Sequence, residues 1–267
     1  VRTDSVYGST TRNWAASAPA IGPELAKEFP EIESVARVTS LDEQIIVHRP
    51  AKGPERRFEE TSGLVAEATA LAVFDLKFVK GDPATALEGP NAIVLAEDTA
   101  RKYFGEADPV GETLTSETWG KPLRVTGIVR RPRGKSHLTF DFLVSMPTFW
   151  NMVQERLGLD ARGHRTWKVM WTYALLRDGR LPADFDARAA AFMKRYQADN
   201  PTRGESVRLQ PIRSIHLHSK LEGEPGPNSD IAYVLVFSGA ALLILLVAVV
   251  NFVNLATAQS FKRAKEI

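Results

Sequence analysis

Between Ile231 and Phe261 the sequence contains no Asp, Glu, Lys or Arg, and its centre, Gly239 to Val250, reads Gly-Ala-Ala-Leu-Leu-Ile-Leu-Leu-Val-Ala-Val-Val. A hydrocarbon core about 30 Å thick needs roughly 20 apolar residues wound as helix, and this window is longer. A buried helix of a soluble domain usually keeps a polar face; here the middle has none. The stretch 231–261 therefore predicts a transmembrane helix in contact with membrane lipid. Lys262, Arg263 and Lys265 follow it, whereas Glu222, Glu224 and Asp230 precede it. Under the positive-inside tendency the C-terminal end faces the cytoplasm, so that 262–267 starts a cytoplasmic segment and 1–230 lies outside. Asn251 and Asn254, three residues apart, share a helix face, and amides in lipid commonly hold helices together; a transport pathway is the sharper alternative.

The chain opens on Val1 and a polar stretch without a charged-then-apolar leader, so an upstream signal or earlier membrane crossing is expected. Apart from Lys262, Arg263, Lys265 and Glu266, basic and acidic residues are equal in number, at 31 each. That balance argues against the broad positive field that nucleic-acid binding needs. With no cysteine, thiol nucleophiles and cysteine-ligated metal sites are excluded.

Patterning of the outer region mixes both periods. Glu24 to Phe29 reads as a short helix closed by Pro30, and Val35 to Val47 as strands broken around Leu41 to Glu43. Ala92 to Leu95 reads as a strand, followed by a helix from about Glu97 to Phe104 capped by Gly105. Leu123, Val125 and Val129 mark a strand that Gly127 interrupts, with a bulge expected there. Leu138, Phe140, Phe142 and Val144 alternate as one strand, and Trp167, Val169, Trp171, Tyr173 and Leu175 as another. Phe185, Ala189, Phe192 and Tyr196 recur at helical spacing, and Val207 to Leu217 reads as strand again. The fold class is α+β: a two-subdomain extracytoplasmic unit, a smaller subdomain at about 85–147 inserted in a larger discontinuous one, then one membrane helix. Gly223 to Ser229 is the loose linker.

Little in this region reads as chemistry. Arg133-Gly134-Lys135-Ser136 resembles the end of a phosphate loop, but Val129 stands where the first glycine belongs and a strand follows where a helix should. Arg130, Arg131, Arg133 and Lys135 read instead as a solvated turn, with partner docking as the functional alternative. His216 and His218 could share one side of a strand, yet no third ligand is evident, and His48, His137 and His164 are scattered. Asp141 lies between Phe140 and Phe142 on the polar side of the alternation. No nucleophile and base pair by spacing, so no catalytic residue, cofactor or metal is expected.

Several stretches, in order, carry a resemblance: Phe74-Asp75-Leu76 to Gly81-Asp82-Pro83, Ala92-Ile93-Val94-Leu95, Ala100 to Gly105, and Asp108-Pro109-Val110-Gly111. Val125-Thr126-Gly127-Ile128-Val129, Ser136-His137-Leu138, Phe140-Asp141-Phe142, Leu209-Gln210-Pro211-Ile212 and Ile215 to Ser219 continue it. Asn251 to Ala258 and Arg263 to Ile267 close it. Taken together these resemble the periplasmic core domain of MacB/FtsX-type ABC transporter permeases. The resemblance implies a permease subunit in the bacterial inner membrane, working with a cytoplasmic ABC ATPase, a second permease subunit in a dimer, and a periplasmic partner. It further implies a divided periplasmic domain that moves with ATPase-driven helix motion, and a segment coupling to the ATPase that starts at Arg263, Lys265 and Glu266. The alternative from another class is a ligand-sensing domain of a membrane receptor; a membrane-anchored hydrolase is a third reading.

Overall fold

Strand β8 (Ala92–Ala96) is buried along its whole length, and its residues divide between two cores. Ile93 and Leu95 face one, Val94 the other, as the two-residue period of a strand requires. A strand apolar on both faces belongs in the middle of a covered sheet. The computed structural model, which describes every residue except 8, 9, 42, 132–135, 199–203, 227 and 265–267, places it there.

In chain order the elements before β8 are β1 (Arg2–Tyr7), β2 (Thr10–Trp14), α1 (Ile21–Glu28), β3 (Ile32–Ser40), β4 (Gln44–His48), β5 (Arg56–Glu60), β6 (Gly63–Ala66), α2 (Thr69–Val73) and β7 (Phe78–Gly81). After β8 come α3 (Glu97–Phe104), β9 (Thr113–Ser116), β10 (Lys121–Val129), β11 (Phe142–Ser145), α4 (Met146–Leu157), β12 (Trp171–Leu176), α5 (Phe185–Tyr196) and β13 (Gly204–Arg208). A 3-10 turn (Ile212–Ser214), α6 (Ile215–His218) and α7 (Ile231–Ala264) complete the chain. The main sheet runs β12-β3-β6-β11-β8-β10-β9-β4-β5, with β7 also on β10; β6/β11 and β8/β10 are parallel, the other neighbours antiparallel. A smaller antiparallel sheet has the order β13-β1-β2.

One core lies between the main sheet and helices α3 and α4, around Tyr103, Trp150, Leu123 and Phe142. A second covers the opposite face with Leu71, Leu87, Leu138 and Phe140. The third joins α1 to α5 through Leu25, Phe29, Phe185 and Phe192, with the Phe29 and Phe185 rings 4.9 Å apart. The segment of about 85–147 shares the main sheet, since β11 pairs with β6 and β9 with β4. The chain divides into two compact units, Val1–Gln210 with Leu221–Gly226, and Pro211–Lys220 with the residues after Gly226.

Several expected elements stand as read. These are the α1 helix, the break between β3 and β4, the β8–α3 pair closed by Gly105 at φ 63°, and the register shift in β10 between Val125 and Gly127. Others need correction. The strand expected over Leu138–Val144 begins only at Phe142, with Leu138 and Phe140 in extended chain that is still buried. The one expected over Trp167–Leu175 begins at Trp171, because the amides of Thr166 and Trp167 turn onto the His164 ring, at 3.3 and 3.1 Å, instead of a neighbouring strand. Val207–Leu217 is strand only to Arg208. Pro211, which has no N–H to give a ladder, opens a helical turn in which Ser214 N–H donates to Pro211 O at 2.9 Å. His216 and His218 thus lie on α6, two positions apart and about 200° around its axis, not side by side on a strand. Helix α4 is not among the expected elements; Pro147 sits in its first turn, where no N–H is needed, and Gly158 ends it at φ 67°.

The second unit holds α7, 34 residues long and about 50 Å by the helical rise. Its stretch Ile231–Ser260 is apolar enough to cross a membrane, and none of the apolar window is buried.

Candidate functional site

The residues joining the folded unit to the apolar helix are not a free linker at their start. Glu222 N–H donates to Asn13 O at 2.7 Å, and Ala15 N–H donates to Glu222 O at 2.9 Å. This makes Glu222 a parallel bridge beside Trp14, at the edge of the β13-β1-β2 sheet. The Glu222 carboxylate accepts a forked pair from Arg12, at 3.1 Å from Nε and 2.5 Å from Nη2, and the Arg12 guanidinium stacks 4.7 Å over Trp14. The Trp171 indole N–H donates to Gly223 O at 2.8 Å. Gly223 has φ +68°, the left-handed geometry that favours glycine. Residues 221–226 therefore form a strap fastened to β2 and to the first residue of β12.

Beside the strap lies an aromatic group made by α2, β12 and the segment before β11. Tyr173 OH lies 3.0 Å from His137 Nε2, and the Phe74 ring meets Tyr173 edge-on at 4.8 Å. Burial, and next the Glu224 carboxylate, push the Tyr173 phenol above its ordinary range. Burial holds His137 below the ordinary histidine value.

Deeper polar contacts tie distant elements together. Lys168 Nζ reaches Glu205 Oε1 at 2.7 Å and also Ser5 Oγ, linking the loop before β12 to β13 and β1. Its side chain and that of Glu205 are 8% and 3% exposed. Arg37 grips Glu67 through Nε and Nη2 and donates to Pro19 O at 2.7 Å. Glu60 accepts from Tyr103 OH at 2.6 Å and from Lys102 Nζ at 2.7 Å; burial, then this hydrogen bond, drive the Tyr103 phenol far above its usual value. These are satisfied brackets, not paired acid and base. At the β4/β5 edge Glu43 is raised by a hydrogen bond and charge from Glu59.

The basic turn is partly committed to the fold. Arg131 binds both Asp98 oxygens, at 3.1 and 2.9 Å, Asp141 Oδ1 at 2.5 Å, and Phe140 O. Arg130 lies 3.7 Å from Glu97. Although burial opposes it, the hydrogen bond and charge of Arg131 hold Asp98 below the usual carboxylate range. Arg133 and Lys135 lie outside the described residues, as do Lys265 and Glu266. Asn251 and Asn254 are exposed on α7 with no side-chain hydrogen-bond partner among the described residues. The described part of α7 reaches Ala264 and so includes Arg263. No group of three or more His, Asp or Glu close enough for a metal occurs among the described residues.

The strap is not legible in the sequence: its contacts join Arg12 to Glu222 across 210 positions, and Gly223 by itself suits a loose linker equally well.

A family model described as the MacB-like periplasmic core domain matches residues 2–192. Among solved structures, a domain described as part of a permease protein from Porphyromonas gingivalis shares the fold. Its TM-score is 0.63 at 18% identity, with 79% of this chain and 90% of that one covered. The periplasmic region of MacB from Actinobacillus actinomycetemcomitans matches with a TM-score of 0.49, 15% identity, and coverage of 80% and 90%. The extracellular domain of the noncanonic ABC-type transporter YknZ from Gram-positive bacteria matches with a TM-score of 0.44, 13% identity, and coverage of 78% and 100%. No match is found among curated proteins.

Proposed function

The chain belongs to the MacB-like periplasmic core domain family of ABC-type permeases, and from that premise we propose that it transmits motion between a membrane helix and an extracytoplasmic domain. In this reading 1–230 lies outside the bacterial inner membrane, 231–261 crosses it, and 262–267 begins the cytoplasmic side. ATP is hydrolysed on a separate cytoplasmic ATPase, in contact with a segment that starts at Arg263, Lys265 and Glu266. A second permease subunit completes the membrane assembly through faces such as that of Asn251 and Asn254. Export or efflux follows from movement of the outer domain against a periplasmic partner, for which the Arg130 to Lys135 turn is a docking candidate.

The observation that carries the reading is the strap. A mere tether would be served by a solvated linker, whereas residues 221–226 are joined to β2 by two main-chain hydrogen bonds and to β12 by the Trp171 indole. A displacement of the chain entering α7 is then delivered to the edges of two sheets. The buried bracket of Lys168 with Glu205 ties the loop before β12 to β13.

The test is purification of the full-length protein from mild detergent, with mass spectrometry of what remains bound and an ATPase assay of the complex. A stoichiometric ATPase is expected, with a hydrolysis rate that changes when the strap is released by Ala15→Pro. Reproducible absence of an ATPase, with a soluble signalling domain following Ile267, would overturn the proposal in favour of a sensor.

A further inference from the structure

Pro211–Lys220 belongs to the compact unit that contains α7, not to the folded outer unit that precedes it in sequence. The reason is local bonding. Ser229 N–H donates to His216 O at 2.9 Å, and Lys220 Nζ meets Asp230 Oδ2 at 2.7 Å. Asp230 is also the cap of α7: its Oδ1 accepts Ala232 N–H at 2.9 Å and its carbonyl accepts Tyr233 N–H at 3.0 Å. The short helical segment is therefore held at the level of the first turn of the membrane helix. Tyr233, 63% exposed in that turn, is a residue type that favours the membrane–water boundary.

The composition of the segment suits that depth. Ile212 is 50% exposed, and Ile215 and Leu217 are only half-buried. Arg213, His216, His218 and Lys220 are exposed, and no acidic residue occurs from Pro211 to Lys220. Asp230 is committed to Lys220 and to the helix cap, while Arg213 has no ion-pair partner among the described residues. Apolar side chains beside the unneutralised Arg213, at the end of a membrane helix, match a surface that is apolar below and anionic above.

We infer that Pro211–Lys220 is an interfacial anchor that inserts Ile212 and its apolar neighbours among lipid chains and binds the phosphate of anionic phospholipid headgroups through Arg213. The inference rests on α7 crossing the bilayer with Ile231 at its outer face. Such an anchor would hold the chain between β13 and the strap at the bilayer surface.

The absence of cysteine makes the test direct. Single nitroxide labels at Ile212→Cys, Leu245→Cys in mid-helix and Lys52→Cys on an exposed loop are compared in the full chain. The chain is reconstituted in nanodiscs of phosphatidylcholine, with or without phosphatidylglycerol, and depth is read from collision with oxygen against a water-soluble nickel chelate. The label at 245 is expected in hydrocarbon and that at 52 in water. The label at 212 is expected at headgroup depth and deeper with phosphatidylglycerol, a gain that Arg213→Gln reduces about fivefold and added inorganic phosphate leaves intact. A label at 212 as wet as that at 52 overturns the anchor while leaving the membrane helix in place. A wet label at 245 overturns the membrane reading itself. Depth at 212 indifferent to phosphatidylglycerol and to Arg213→Gln would overturn headgroup binding, and release by free phosphate would overturn the lipid as the ligand.

Discussion

Two positions show how single residues hold this fold. Gly81 and Gly127 face each other across β7 and β10, and Gly81 has φ +88°. A Cβ at Gly81 would stand 2.4 Å from Thr126 O and 2.7 Å from Gly127 Cα, both backbone atoms that cannot turn aside. Gly81→Ala is expected to cost roughly 2–4 kcal/mol, whereas Gly89→Ala, with nothing within 4 Å of its Cβ, should change stability by less than about 0.5 kcal/mol; thermal unfolding of the two variants checks the contrast. His137 supplies the second case. Burial lowers its pKa in the folded chain, so the unfolded chain binds its proton more readily. The stability it contributes is complete above the unfolded value near 6.5 and is lost as pH falls through the folded value. His137→Gln, which keeps a hydrogen-bonding group for Tyr173 but cannot charge, should remove a slope of up to about 1.4 kcal/mol per pH unit below pH 6.5. Unfolding midpoints across that range, identical in slope for both proteins, would refute it.

Among elements, the strap has the clearest consequence. Its ion pair is exposed, with the Arg12 and Glu222 side chains at 49% and 43%, so it is worth at most about 1 kcal/mol. The main-chain bonds to β2 and the Trp171 indole bond have the larger share, since each also satisfies a backbone group. Ala15→Pro deletes the N–H that reaches Glu222 O. Amide exchange at 221–226 should then quicken about fivefold or more while the β8 amides keep their protection; unchanged exchange in the strap would show that it is held elsewhere. High salt, which weakens only the ion pair, should have the smaller effect. Helix α4 makes a related point, for the first-turn Pro147 and the closing Gly158 are ordinary helix punctuation around a segment to which periodicity alone assigns no element.

For the whole molecule, membrane orientation is the property on which the rest depends. In a chain without cysteine, Lys52→Cys should react with an impermeant maleimide in intact cells, and Arg263→Cys only after the membrane is opened; the opposite pattern would invert the topology. The sequence by itself determined the features that a short window can carry. The membrane span is legible because Ile231–Ser260 is thirty residues long, uncharged and without a polar face across its middle. The β8–α3 pair is legible because strand burial, helix period and the capping Gly105 fall within fourteen residues. The β10 irregularity is legible from Gly127 alone. Tertiary structure decided what depends on partners far along the chain: the order of strands in the main sheet, the capture of Arg131 by Asp98 and Asp141, and the fastening of Glu222 to β2. It also turned Ile215–His218 into helix, where main-chain bonds to Pro211 and from Ser229 outweigh alternation. Periodicity reports which face of an element is buried, but the identity of its neighbour is set by pairing and packing energies summed over residues that no local window contains together.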